Sequence, residues 1–232
     1  MKYDSVSFME DRATAGTKTN DGFIIETLKS ASYHAKKLIF ATGITDLVPD
    51  VKGFKACWGI SIIHCPYCHG YEFRNQETGI MANGERAFHI ATLVKNLTGD
   101  VTIFTTGPAE FSPEQLQKLE RQKIRIIEEP IVEAIHKNGK LQHITLNNGE
   151  RLPFAALYAA FPFSQHSLIP ESLGCEMTEQ GHIKIDGFQQ TSVSGIYACG
   201  DNSAMMRSVA NAVYAGNLAG AAVNKEISML QF

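Results

Sequence analysis

Ile63-His64-Cys65-Pro66-Tyr67-Cys68-His69-Gly70 is the stretch on which the reading of this chain turns. Two of the five cysteines form a Cys-x-x-Cys pair, each flanked by a histidine, after the apolar run Ile60-Ser61-Ile62-Ile63. Thiols at this spacing close to a disulfide with little backbone movement, so the pair points to redox work. A structural zinc site is the other use of such a pair. It normally takes four ligands, and His64 and His69 are near enough to supply two. Pro66-Tyr67, however, makes a tight turn of the redox type, and no second Cys-x-x-Cys or separated histidine pair exists. No metal is expected.

The remaining composition narrows the classes. A chain of 232 residues makes one large domain or two small ones. With 44% hydrophobic and 19% charged residues and a net charge of −3, it can build cores and shows no basic excess for nucleic acid. No apolar run reaches the roughly 18 residues of a membrane span. Met1-Lys2-Tyr3-Asp4 lacks the apolar region of a signal peptide, so a cytoplasmic location is expected. Cys57, Cys175 and Cys199 are isolated and read as small buried apolar residues.

Upstream of the dithiol, residues 1–48 read as a β-meander. Val6 to Met9 is expected as a strand, Asn20-Asp21-Gly22 as a turn, Phe23 to Leu28 and Lys37 to Ala41 as further strands. The last of these ends in Ala41-Thr42-Gly43, where glycine permits close backbone approach. Downstream, Gly79 to Ala82 reads as a strand turning at Asn83-Gly84 into a helix with apolar Ala87, Ile90, Ala91, Val94 and Leu97. Val101 to Phe104 completes a strand-helix-strand unit. Ser112-Pro113-Glu114 starts a helix to Gln122, and Lys123 to Ile127 is a strand. Ile131 to Ile135 and Leu141 to Leu146 flank Lys137-Asn138-Gly139-Lys140 as an antiparallel insert. Phe154 to Phe161 and His182 to Ile185 are expected strands. Gly195-Ile196-Tyr197-Ala198-Cys199-Gly200-Asp201 precedes a small-residue helix over Met206 to Leu230.

Three motifs thus stand in order: Ala41-Thr42-Gly43, Cys65-Pro66-Tyr67-Cys68-His69-Gly70-Tyr71-Glu72, and Gly195 to Asp201. Together they resemble the low-molecular-weight thioredoxin reductase family of FAD-dependent disulfide oxidoreductases, over nearly the whole chain. The Cys-x-x-Cys-His-Gly-Tyr-Glu run is most similar to the branch with gliotoxin-type dithiol oxidases. Glutaredoxins also carry Cys-Pro-Tyr-Cys, but near the N-terminus of a shorter chain.

The resemblance implies an α/β fold of two Rossmann-like, three-layer domains. The first, FAD-binding, is split in sequence over 1–52 and 184–232; the second, NAD(P)-binding-like, is inserted at 53–183 and carries the dithiol. It implies FAD contacts from Ala41, Thr42, Gly43, Gly200, Asp201, Val209 and Ala210, with Asp201 accepting from a ribityl hydroxyl. Cys65 would be the exposed nucleophile, Cys68 the partner of the flavin, and His69 the acid/base. The implied partners are a thioredoxin-like protein or a small dithiol or disulfide, and the implied assembly is a homodimer.

Two departures qualify it. Nothing in residues 1–40 matches the Gly-x-Gly-x-x-Gly unit that binds the FAD pyrophosphate, so the FAD domain is expected to be incomplete at its N-terminus. For NADP(H), Gly84 and Ala87 match the second loop, but Ala82 replaces its first glycine and Glu85 brings a carboxylate to the pyrophosphate position. Thr105-Thr106-Gly107 offers no acid or arginine for the ribose, and Phe161-Pro162 closes the late strand where a small residue is expected. The expected function is a FAD-dependent thiol-disulfide oxidoreductase acting through Cys65 and Cys68. An oxygen-dependent dithiol oxidase that does not use NADPH and a non-catalytic binding or regulatory remnant remain open beside it.

Overall fold

The computed structural model describes residues 3–232. The chain divides into two compact units: the first runs to Asp46 and resumes at Phe163, and the second is Leu47–Pro162. Both boundaries fall earlier than the expected breaks after 52 and 183. Val48 and Val51 pack onto the core of the second unit. Ile169, Cys175 and Ile183 pack with Phe23 and Ile196 of the first.

The first unit opens with an antiparallel meander, β1 (Ala13–Lys18), β2 (Phe23–Thr27) and β3 (Ser32–Ala35). The Asn20-Asp21-Gly22 turn is closed by the Thr19 amide donating to the Gly22 carbonyl at 2.9 Å, which pairs Lys18 with Phe23. The turn therefore recruits the polar stretch just before it. Val6 to Met9, expected as a strand, is irregular and leaves Val6, Phe8 and Met9 exposed. Two short strands follow, β4 (Leu38–Phe40) and β5 (Ile44–Asp46).

The second unit contains α1 (Phe54–Cys57), β6 (Ile62–Ile63), α2 (Pro66–His69), β7 (Thr78–Met81), α3 (Gly84–Val94), β8 (Val101–Phe104), α4 (Pro113–Arg121) and β9 (Arg125–Ile127). It continues with β10 (Ile131–Lys137), β11 (Lys140–Leu146), β12 (Arg151–Pro153) and β13 (Ala156–Ala159). Five strands form a parallel sheet in the order β6-β13-β7-β8-β9, and β10-β11-β12 form an antiparallel one. Neighbouring residues send side chains to opposite faces of a strand. Ile63, Ile103 and Tyr158 accordingly pack with Ala87, Ile90 and Leu119 of the helices. Ile62, Phe104 and Leu157 pack with Ile144 and Leu146 of the antiparallel sheet. Helices, parallel sheet and antiparallel sheet make three layers. The start signal of α4 is a capping box between Ser112 and Gln115.

The chain re-enters the first unit through β14 (Phe163–Gln165), antiparallel to β5. After α5 (Ile169–Ser172), residues His182 to Ile185 make only isolated bridges, Met177 with Ile183 and Ile185 with Thr191. Next, β15 (Ile196–Ala198) runs parallel to β4, and α6 (Val209–Gln231) follows. Ala215 and Ala219 bring α6 close to Cys199. Glu226 of α6 pairs with Lys37 and accepts from the Tyr197 hydroxyl at 2.6 Å. Burial and this carboxylate push the Tyr197 phenol up to about 12. Among the described residues, no helix is long and apolar enough to cross a membrane.

Candidate active site

Cys65 stands at the N-cap of α2 with Pro66 as the first helical residue, a position where its missing N–H costs nothing. One turn later Cys68 brings its Sγ to 2.6 Å from that of Cys65. The two are close enough to form a disulfide by side-chain rotation. Cys65 is half-buried and Cys68 exposed, the reverse of the order expected from the sequence. The Cys68 thiol is pushed up to about 11, first by its hydrogen bond to Cys65, then by burial and by negative charge on Cys65.

His69 closes α2 half-buried, and its Nδ1 is buried without a hydrogen-bond partner. His64 packs its ring 6.3 Å from Trp58. Beneath the turn lies Tyr158, only 1% exposed. A Cβ on Gly70 would come within 2.4 Å of Leu97 and 2.9 Å of the Tyr158 hydroxyl, so any other residue here would have to displace those side chains. Burial, then the charges of Cys65 and Glu72, push the Tyr158 phenol up to about 12. Tyr158 escaped the sequence reading because it sits in an apolar strand, indistinguishable there from a core residue.

In the first unit, β4 and β15 are adjacent and parallel, so Ala41-Thr42-Gly43 and Gly200-Asp201 leave the same carboxyl edge. In open α/β sheets ligands bind outside such an edge. Gly43 and Gly200 have φ of +66° and +86°, and a Cβ on either would find no atom within 4 Å. Thr42 also lines a cleft of about 1150 Å³ with Arg12, Gln165 and His166. Asn202, fully buried, donates to the Phe40 carbonyl at 2.9 Å and to Thr42 Oγ1 at 3.2 Å, while its Oδ1 has no partner. Val209 and Ala210 begin α6 exposed, behind the N-cap Ser208. Bare backbone, hydroxyl and carboxylate groups and an unsatisfied buried acceptor fit a polyol-bearing dinucleotide such as FAD.

The turn between β7 and α3 is built differently. Gly84 has φ +54°, but its amide already donates to Asn83 Oδ1 at 2.9 Å, which also accepts from the Glu110 amide at 3.0 Å. Asn83 Nδ2 donates to the Pro108 carbonyl. Glu85 occupies the first helical turn and accepts from Gln115 Nε2 at 2.6 Å. Ala87, one turn further on, is fully buried in the core. The Gly84 amide that a pyrophosphate would need is taken, and carboxylates stand beside it. These residues do not fit the pyrophosphate of NADP(H).

One cluster near Asp201 had no signal in the sequence. Arg207 grips Asp46 with both terminal nitrogens, each at 2.9 Å, across 161 residues. Its Nε lies 3.9 Å from Asp201 Oδ2.

A family model described as pyridine nucleotide-disulphide oxidoreductase matches residues 4–216. Thioredoxin reductase tcpT of Claviceps purpurea is 32% identical, covering 94% of this chain and 71% of the relative. Thioredoxin reductase sirT of Leptosphaeria maculans is 28% identical, covering 96% of this chain and 73% of the relative. Among solved structures, an oxidoreductase from Agrobacterium tumefaciens superimposes with a TM-score of 0.89 at 32% identity, over 98% of this chain and 77% of that one.

Proposed function

This chain belongs to the pyridine nucleotide-disulphide oxidoreductase family, oxidoreductases with FAD as cofactor and NAD(P)H as the usual second one, and we propose that it is a thioredoxin reductase-like thiol-disulfide oxidoreductase working through Cys65 and Cys68. The observation that carries this reading is the pair of sulfurs 2.6 Å apart across one turn of α2. FAD, when bound, would supply a two-electron donor or acceptor for the dithiol, with Cys68 as its partner. Ala41, Thr42, Gly43, Gly200, Asp201, Val209 and Ala210 would hold it, Asp201 accepting from a ribityl hydroxyl.

Cys65 is the nucleophile that the family resemblance implies, and the upward push on the Cys68 thiol from its neighbour Cys65 and from burial agrees with that order. Cys65 Sγ attacks one sulfur of a partner disulfide; a mixed disulfide forms and the departing sulfur takes a proton from His69 Nδ1. Cys68 then gives its proton to His69 and attacks Cys65 Sγ. The Cys65–Cys68 disulfide closes, the second partner sulfur leaves and takes the proton back from His69, and two electrons have passed from the dithiol to the partner. A dithiol substrate is oxidised by the same steps in reverse. The partner is a thioredoxin-like protein or a small dithiol or disulfide, and the working form is a cytoplasmic homodimer.

A second reading concerns the terminal partner of the electrons. The turn at Asn83 to Ala87 favours a dithiol oxidase in which dioxygen, and not NADP⁺, is the final acceptor. The test is the visible spectrum of the full chain after FAD is added and free cofactor removed, followed by anaerobic addition of dithiothreitol or NADPH. A bound flavin band bleached by the dithiol supports the function. Rapid bleaching by NADPH sinks the oxidase reading, and no flavin band at all sinks both.

A further inference from the structure

Arg207 lies between two carboxylates, and only one of them is gripped. Its fork closes on Asp46 through two hydrogen bonds of 2.9 Å, the planar geometry that a lysine cannot reproduce. Side chains of both are mostly buried, at 23% and 13% exposed. The guanidinium is held cationic, first by Asp46, against the opposing effect of burial, with Asp201 adding to it. Among its other donors, Nε is buried with no hydrogen-bond partner, an arrangement that folded proteins rarely leave unsatisfied. Asp201 Oδ2 lies 3.9 Å from it, on a side chain that is 38% exposed. The imidazole of His182, buried nearby, is pushed down by burial and then by Arg207, with Asp201 opposing them.

We propose that Arg207, clamped by Asp46, is the positioning residue that orients the Asp201 carboxylate for the cofactor. Asp46 then matters for cofactor binding although it is not among the residues assigned to touch FAD. It sits on β5, the last strand before the chain leaves the first unit, while Arg207 immediately precedes the N-cap of α6. The fork therefore ties the start of α6 to β5 and holds Nε on the Asp201 side. This inference rests on the flavin reading above.

The experiment is a titration of the full chain with FAD, followed by flavin fluorescence. Asp46→Asn and Arg207→Lys are each expected to weaken FAD binding about tenfold, the scale at which groups behind a binding residue act. In an Asp201→Ala background neither substitution should weaken it further, because the group they orient is gone. A pair that merely stabilises the fold would weaken binding by the same factor in both backgrounds, and that result overturns the proposal. So does wild-type affinity in Asp46→Asn. If Arg207→Lys melts below the assay temperature, the neutral pair Asp46→Asn/Arg207→Gln replaces it, with the same tenfold loss expected. A wild-type chain that does not bind FAD overturns the flavin reading itself and this inference with it.

Discussion

Beyond β4 and β15 the backbone is bare at Gly43 and Gly200, whereas beyond β7 the turn is filled with oxygen from Asn83, Glu85 and Glu110. Both are strand ends of parallel sheets, the place where α/β folds bind nucleotides. The first keeps its amides and its carboxylate available to a ligand. The second spends its helix-terminal amide on its own side chain and adds negative charge where a phosphate would sit. A shared fold therefore does not imply a shared ligand. The dithiol lies in the second unit, and the bare strand ends lie in the first.

The sharpest way to break that division is to remove the nucleophile. Cys65→Ser should lower dithiol-driven flavin bleaching by a factor on the order of 10³ or more, with FAD affinity unchanged in the same preparation. If FAD is lost together with bleaching, the dithiol turn is structural and the division of labour fails.

A smaller effect separates the two strand ends directly. Gly200→Val places a β-branched residue at φ +86° and fills open space at the cradle; the strain is about 1–2 kcal/mol. FAD affinity should fall about tenfold or more, read by fluorescence titration. Gly84→Val meets similar strain at φ +54°, with its Cβ 3.3 Å from the Glu110 carbonyl. It should lower the melting temperature and leave FAD affinity alone. Equal loss of FAD in both variants would erase the contrast.

Smaller again is the gain from opening the second turn. Glu85 faces the positive end of α3, a contact of about 0.3–1 kcal/mol. Asn83→Gly/Glu85→Gln releases the Gly84 amide and removes the carboxylate. NADPH should bind about two- to fivefold more tightly, by the same 0.3–1 kcal/mol, as read from nicotinamide fluorescence. Unchanged affinity would mean that the obstacle is elsewhere, for example at Ala82.

Much of this was legible in the sequence because it is carried by local chemistry. The order of Ala-Thr-Gly, Cys-x-x-Cys and Gly-Asp needs no tertiary information, and neither does the Ser112 start signal of α4. The eroded glycine loop was visible, but the hydrogen bonds that plug it were not. What stayed hidden depends on chain return. Asp46 and Arg207 meet across 161 residues with no spacing rule to join them. β1 is polar and becomes a strand only because the Asn20-Asp21-Gly22 turn supplies its partner. The second unit ends at Pro162 because Phe163–Gln165 pairs with β5, a long-range register that no periodicity announces.

The smallest expected effect lies wholly within the second unit and tests where the dithiol keeps its proton. The Cys68 thiol is raised from 9.0 to about 11 in the fold, so the folded state favours its protonated form. A group raised in this way contributes stability that is complete below its unfolded value and disappears as the pH rises through the folded one. For the reduced protein the window is therefore from 9.0 to about 11. The disulfide form has no thiol to titrate and lacks this contribution. Melting curves of oxidised and reduced protein should therefore diverge by about 1–3 °C across that window, the reduced form losing more, since Cys68 is exposed and solvent weakens the effect. The tyrosines that ionise at still higher pH are present in both forms and largely cancel in the difference. Parallel loss in the two redox states would show that the fold does not favour the protonated Cys68, and would leave the family resemblance as the support for placing the nucleophile on Cys65.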